Sequence, residues 1–164
     1  MKENDEIIFH PIGIIHSPHK ELAGMPIQPS AGVGIKGTVV LDQAYVAGLK
    51  DLEGFSHLIL VYFFHQAKSP VLVTKPFLDD VKRGVFATRA PRRPNGIGIS
   101  VVKLLAVTEN KLEVENMDIL DGTPLLDIKP YVPDFDEEHD IRIGWLKKNL
   151  GEIEGKLSDD RFLK

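Results

Sequence analysis

The feature that most constrains the fold is an apolar segment of ten residues, 55–64, which reads FSHLILVYFF. It is rich in β-branched and aromatic side chains, which favour strands over helices. We therefore predict a central strand that is buried on both faces. The segment ends at the polar pair His65 and Gln66. Polar side chains at the end of a buried strand are well placed to line a pocket.

Other short apolar segments alternate with turn residues along the chain, and most are too short for helices. Predicted strands span residues 7–15, 35–41, 85–87, 99–107, 111–115 and 125–131. Short helices are predicted from Asp42 through Gly48 and over residues 141–150, which contain the single Trp of the chain. About five to seven short strands with few helices predict a mainly β protein, built as an antiparallel barrel or sandwich.

Composition narrows the classes of function. A chain of 164 residues is long enough for one domain with its own core. It contains no Cys, which excludes disulfides, thiolate metal sites and Cys nucleophiles. The six His lack metal-binding spacing, so no metal site is predicted. No apolar run reaches bilayer length and the N-terminus does not resemble a signal peptide, so we expect a cytoplasmic protein with no membrane partner.

Charge is unevenly distributed, although the net charge is only −4. Residues 81–108 contain six Lys or Arg and no acidic residue, whereas residues 134–140 contain five acidic residues and no Lys or Arg. The net charge argues against bulk electrostatic binding of nucleic acid. A basic face on an acidic protein instead fits selective contact with an anionic partner.

The basic region contains residues 85–100, VFATRAPRRPNGIGIS, which we call the signature segment. Its prolines fix φ, and its glycines permit close approach of a ligand to the backbone. The guanidinium groups of Arg89, Arg92 and Arg93 would suit a carboxylate or phosphate. The alternative interpretation is a solvated basic loop between strands.

Carboxylates form a second group of candidates. Asp118 and Asp121 lie three residues apart and Asp127 follows. They could act as general bases, bind ribose hydroxyls or hold a divalent cation. Residues 121–124 (DGTP) are equally typical of a simple turn, in which Asp accepts backbone hydrogen bonds. Residue-level reasoning therefore predicts a small β-rich domain with a polar ligand site.

The signature segment and its surroundings, GVFATRAPRRPNGIGISVVKL, closely resemble the TsaA-like family of tRNA threonylcarbamoyladenosine N(6)-methyltransferases. Further matching blocks are IGIIHSP at residues 12–18, the loop around MPIQPS, residues 48–66, and MDILDGTPLLDIKPY. The resemblance implies an antiparallel β-barrel over residues 7–133. An acidic segment and a C-terminal helix, residues 134–164, would pack on the barrel or extend from it.

The resemblance also implies an activity and partners. S-adenosylmethionine would be the methyl donor, and the acceptor would be the N(6) nitrogen of threonylcarbamoyladenosine beside the tRNA anticodon. A homodimer is expected, with the cofactor site near the subunit interface. Two alternatives remain: a methyltransferase of the same fold acting on a small molecule, or a module that binds the cofactor without turnover. The basic region favours RNA, and the acidic segment after Val132 counts against it.

Site residues follow from the motifs that match. The cofactor-binding candidates are Gln28, Pro29, Ser30, His65, Gln66, Arg89, Ile99, Asp118, Leu120 and Asp121. Because the sulfonium already activates the methyl group, the protein mainly has to align the reactants and accept a proton. The candidates for substrate positioning or proton removal are Asp121, Lys129 and Tyr131. Arg92 and Arg93 are candidates for structure or for contact with tRNA phosphate.

Overall fold

Six antiparallel strands close into a barrel in the computed structural model, which describes residues 6–136, 141–148 and 157–159. The strands are β1 (Gly13–His16), β2 (Lys36–Leu41), β3 (His57–Phe63), β4 (Val73–Thr74), β5 (Arg83–Gly84), β6 (Ile97–Thr108), β7 (Lys111–Glu115) and β8 (Thr123–Pro130). The barrel order is β1-β2-β7-β6-β3-β8, and β4 and β5 form a separate two-stranded sheet. The predicted mainly β fold with an antiparallel barrel is confirmed.

The apolar segment forms β3, but not as a strand buried on both faces. Its side chains alternate, with Leu58, Leu60 and Tyr62 buried and the intervening residues partly or largely exposed. A closed barrel gives every strand one inner and one outer face and leaves no doubly covered centre. The prediction of burial on both faces was therefore wrong. The inner side chains pack with those of other strands, such as Val102 and Leu125.

The helices of the described part of the chain are short. They comprise 3-10 helices at Pro29–Ala31, Gln43–Leu49, Leu52–Gly54, Val85–Ala87 and Gly144–Lys148, and the α-helix α1 at Pro133–Asp136. Among the residues that the structure describes, no helix is long and apolar enough to cross a membrane. The helix predicted after Asp42 is present as a 3-10 helix. The division of the chain at residue 133 stays a prediction.

Two other predicted elements differ from the structure. Residues 85–87 form a 3-10 turn rather than a strand, because Thr88 closes it by donating from its N–H and its hydroxyl to the Val85 carbonyl (3.1 and 2.8 Å). The predicted helix over residues 141–150 is present only as Gly144–Lys148, and its last two residues lie outside the described part of the chain.

Candidate functional site

A cavity of about 780 Å³ lies at the end of the barrel where β3 stops and β6 and β8 begin. Its walls come from the ends of these strands and from residues 22, 25–28, 64–67, 76–78, 86–91, 93, 118–120, 145–146 and 158–159. This volume is within the usual range for a site that binds a cofactor-sized molecule. Apolar side chains predominate, and a few polar groups are placed among them.

Most of the predicted cofactor-binding residues are brought together in this cavity. The lining includes Gln28, His65, Gln66, Arg89, Ile99, Asp118 and Leu120. Pro29 and Ser30 belong to the 3-10 helix that follows Gln28, and Ser30 does not line the cavity. Their assignment as cofactor contacts stays a prediction.

Asp118 is a carboxylate at the strand end of the cavity, and a chain of hydrogen bonds fixes its orientation. The Ser100 hydroxyl donates to Asp118 Oδ1 (2.7 Å), and the hydroxyls of Tyr62 and Ser100 are 3.0 Å apart. With Ser100 donating to the carboxylate, its oxygen accepts from Tyr62. Burial raises the pKa of Asp118 to about 6, against the opposing effects of the Ser100 hydrogen bond and the Arg89 charge. Burial also raises the pKa of the Tyr62 phenol, which keeps it a neutral donor.

Gly98 makes this arrangement possible. It pairs with Tyr62 across β3 and β6, and a Cβ at this position would overlap the Tyr62 ring. The second glycine of the signature segment therefore admits an aromatic side chain of the protein itself. Sequence reasoning missed Tyr62 and Ser100. The available signal was the requirement that a buried phenol hydroxyl find a partner.

Arg89 supplies the opposite charge in the same cavity. Its Nη1 donates to Gln28 Oε1 (3.0 Å), which joins two sequence-predicted residues from distant parts of the chain. Its positive charge lowers the pKa of both Asp118 and Tyr62, although burial outweighs this effect. The cavity therefore presents a guanidinium and a carboxylate, an arrangement that complements a ligand carrying both charges.

The three arginines of the signature segment have different surroundings. Arg93 Nη1 donates to the carbonyls of Val85 (3.2 Å), Thr88 (2.9 Å) and Ala90 (3.4 Å). Its guanidinium also lies 5.9 Å from the centre of the Phe86 ring. Arg92 Nε donates to the Ser69 carbonyl (3.0 Å). Arg93 therefore stabilises the loop, which is one of the two roles considered for it.

Asp121 lies outside the cavity on the surface of the barrel. Its carboxylate accepts from the Ser17 backbone N–H (3.0 Å) and pairs with Lys20 Nζ (2.7 Å) and His16 Nδ1 (3.4 Å). The hydrogen bonds from Lys20 and from Ser17 lower the pKa of Asp121 to about 2. Its backbone N–H also donates to the His19 carbonyl (2.8 Å). These contacts fasten the segment after β1 to the turn before β8.

The other two catalytic candidates lie at the far end of β8. Lys129 Nζ pairs with Asp127 Oδ2 (2.7 Å), and the Tyr131 ring packs edge-on against His57 with centroids 6.4 Å apart. Thr123, at the start of β8, lines the cavity. The rise of a strand places Lys129 about 20 Å further along. A single chain does not bring Lys129 or Tyr131 to the cavity, and the catalytic roles of Asp121, Lys129 and Tyr131 stay predictions.

A closed antiparallel barrel with a largely apolar cavity that also bears guanidinium groups and carboxylates defines a small-molecule-binding β-barrel. Residues 14–137 match the family model for the tRNA-methyltransferase O N-terminal domain. The chain belongs to the tRNA-methyltransferase O family, as the resemblance predicted. At the level of the family, this confirms the predicted methyltransferase activity and S-adenosylmethionine cofactor.

Individual relatives agree with this assignment. A probable S-adenosyl-L-methionine-binding protein of Pyrococcus abyssi is 56% identical over 95% of this chain and 85% of its own length. The tRNA (adenine(37)-N6)-methyltransferase of Escherichia coli is 38% identical over 76% of this chain and 57% of its own length. The crystal structure of TrmO from Pseudomonas aeruginosa superposes on this chain with a TM-score of 0.72 and 42% sequence identity. The match covers 85% of this chain and 62% of that protein. The chain thus spans less than two thirds of the latter two proteins.

Proposed function

We propose that this chain is an S-adenosylmethionine-dependent methyltransferase that methylates the N(6) nitrogen of threonylcarbamoyladenosine beside the tRNA anticodon. The observation that carries the proposal is that Arg89 and Asp118 both line one largely apolar cavity. The methionine end of the cofactor is a zwitterion. Arg89 would bind its carboxylate and Asp118 its ammonium, while the apolar walls would surround the adenosyl group.

The residues of the chain would act by positioning. When bound, the cofactor supplies a methyl group that its sulfonium has already made electrophilic. Gln28 holds the Arg89 guanidinium, and Ser100 with Tyr62 holds Asp118, so both charged groups are oriented in advance. The apolar lining excludes water from the reacting atoms. The chain would also have to align the acceptor nitrogen with this methyl group and accept the proton that the nitrogen releases, for which Asp121, Lys129 and Tyr131 are the predicted candidates.

We also propose a homodimer, for which the outer face of β3 and β6 provides support. Phe63 pairs with Ile97 and Val61 with Ile99, and the side chains of Phe63, Ile97 and Ile99 are 45%, 40% and 52% exposed. Ile97 and Ile99 also line the cavity, so a second copy covering this face would adjoin the cofactor site. Sedimentation velocity should show a dimer at micromolar concentration, and a monomer there would contradict this part of the proposal.

The tRNA substrate is supported by the remaining exposed cations near the cavity. Arg83 forms an ion pair with Asp79 (2.7 Å), and Lys75 forms one with Asp80 (2.6 Å). The side chains of Lys68 and Lys82 are exposed and could reach phosphate groups. Phosphate contacts by such side chains would position an anticodon loop at the cavity mouth. A tRNA substrate would place the enzyme in the cytoplasm. The competing functions are methylation of a small molecule and cofactor binding without turnover.

Two measurements test the proposal in sequence. Calorimetry with S-adenosylmethionine should show binding, and its absence would eliminate all three functions. Transfer RNA from a strain lacking the gene should then be digested and analysed by mass spectrometry. We expect threonylcarbamoyladenosine without its N(6) methyl group, restored by the wild-type gene. Unchanged methylation in a protein that binds the cofactor would leave only the two competing functions.

A further inference from the structure

The C-terminal segment, residues 141–148 and 157–159, returns to the cavity although it lies beyond the family-matched residues 14–137. Four of its side chains line the cavity, namely Trp145, Leu146, Ser158 and Asp159. The segment contains Trp145, the single Trp of the chain. The segment thus adds a wall that the matched domain does not contain.

Trp145 attaches this wall to the signature segment. Its indole Nε1–H donates to the Ala87 carbonyl (2.8 Å), two residues before Arg89. The Arg83 guanidinium lies 5.6 Å from the centre of the indole ring. The hydrogen bond satisfies the one polar group of the indole, so the ring presents only apolar surface to the cavity.

The end of the segment attaches it to the loop that carries Gln28. Leu157 pairs with Pro26 as an antiparallel bridge. The Ser158 N–H donates to the Met25 carbonyl (2.7 Å), and the Ser158 carbonyl accepts from the Gly24 N–H (2.9 Å). The Ser158 hydroxyl accepts from the Met25 N–H (3.0 Å) and donates to the Leu22 carbonyl. The segment therefore contacts both loops that supply the Arg89–Gln28 pair.

We propose that Trp145 is a cofactor-binding residue whose indole packs against the adenosyl group of S-adenosylmethionine. This inference rests on the proposed function and adds a contact outside the family-matched domain. The indole is hydrogen-bonded to the Ala87 carbonyl, is half-buried and lines a cavity of cofactor size, so an aromatic base could pack against it. Stacking on an aromatic ring is open to any base, because every base has a π-face.

The single Trp makes the contact directly observable. S-adenosylmethionine should be titrated into the full chain in parallel by calorimetry and by intrinsic fluorescence. We expect the Trp145 emission to change with the midpoint that calorimetry gives. Binding heat without a change in emission would overturn the role of Trp145 and leave the proposed function standing. Absence of binding heat would overturn both.

Variants separate direct contact from loop positioning. Trp145→Ala should weaken binding of 5′-methylthioadenosine about tenfold, because this ligand keeps the adenosyl group and lacks the amino-acid end. Trp145→Phe should recover much of the loss. Ile141→Ala, an exposed position of the same segment that does not line the cavity, should bind as wild type. Wild-type affinity of Trp145→Ala for 5′-methylthioadenosine, with the fold confirmed by its thermal transition, would overturn the proposal.

Discussion

Asp118 and Asp121 stand three residues apart between β7 and β8, yet their surroundings are opposite. Asp118 faces the cavity, where burial raises its pKa to about 6. Asp121 faces the surface, where hydrogen bonds from Lys20 and Ser17 lower its pKa to about 2. Site and turn were competing interpretations of this acidic motif. In the structure each interpretation holds for one residue: Asp118 lines the cavity, and Asp121 accepts a backbone hydrogen bond beside the turn.

The difference shows how one short segment can serve a ligand site and a fold. A buried carboxylate that lacks a close cationic partner gains when a cationic ligand group binds beside it. A carboxylate already neutralised by a lysine and a backbone N–H is not. Electrostatic surroundings, rather than residue type, distinguish the two aspartates, and the predictions below test that distinction.

The largest expected effect is that of Asp118→Asn on cofactor binding. Asn keeps an oxygen to accept from Ser100 but removes the charge that would pair with the ammonium. We expect S-adenosylmethionine affinity to fall about 100-fold, as for a buried charge partner that is lost. Without ligand, the free energy of unfolding of Asp118→Asn at pH 7 should be about 2 kcal/mol higher than that of wild type. The raised pKa of Asp118 means that its ionised form destabilises the folded state of the wild-type protein.

Calorimetry and urea unfolding check this pair of effects, and Asp121→Asn is the matched control. We expect the control to bind the cofactor within about threefold of wild type. Equal affinity losses in both variants would contradict the division of roles between the two carboxylates.

The pH dependence of binding should follow Asp118. Its folded pKa of about 6 means that it takes up a proton as the pH falls through 6. The neutral acid cannot pair with a cation, so affinity should drop about tenfold between pH 7.5 and pH 5. Asp121, with its pKa near 2, stays ionised throughout this range. Calorimetry across pH measures the profile, which should be flat in Asp118→Asn; an unchanged slope in that variant would assign the titration elsewhere.

The fold could be predicted from the sequence because it follows from local pattern. Short alternating segments and turn residues indicated the strands, and five of the six barrel strands begin and end within two residues of the predicted bounds. The first strand is the exception, since it begins only at Gly13. The outer face of β3 could not be predicted from its own residues, because it results from closure of the whole sheet into a barrel.

The sequence allowed only those site residues to be predicted that lie in motifs matching the family. His65, Gln66 and Arg89 were found because they lie in or beside recognisable segments. Tyr62 and Ser100 were missed because their role depends on the pairing of β3 with β6. Trp145 was missed because the chain returns to the cavity from outside the matching blocks. Long-range placement of this kind is not encoded in local pattern.

Arg89 should influence Asp118 and leave Asp121 unchanged. Removing the guanidinium in Arg89→Ala takes away a positive charge that lowers the pKa of Asp118, so this pKa should rise further. We expect affinity for S-adenosylmethionine to fall about tenfold, because the carboxylate partner is lost. Arg92→Ala, in the same loop, should bind nearly as wild type. Calorimetry gives the affinities, and a wild-type affinity in Arg89→Ala would show that the assignment of this loop is wrong.

The smallest expected effect concerns the stability conferred by Asp121. Its lowered pKa stabilises the fold above the ordinary Asp pKa, and this contribution is lost as the pH falls from about 4 towards 2. Because the pairs with Lys20 and His16 are partly exposed, Asp121→Asn should cost less than about 1 kcal/mol at pH 7. Urea unfolding at several pH values should show wild type and variant converging towards pH 2. A constant difference down to that pH would assign the effect to packing, and a large loss of cofactor affinity would return Asp121 to the cofactor site.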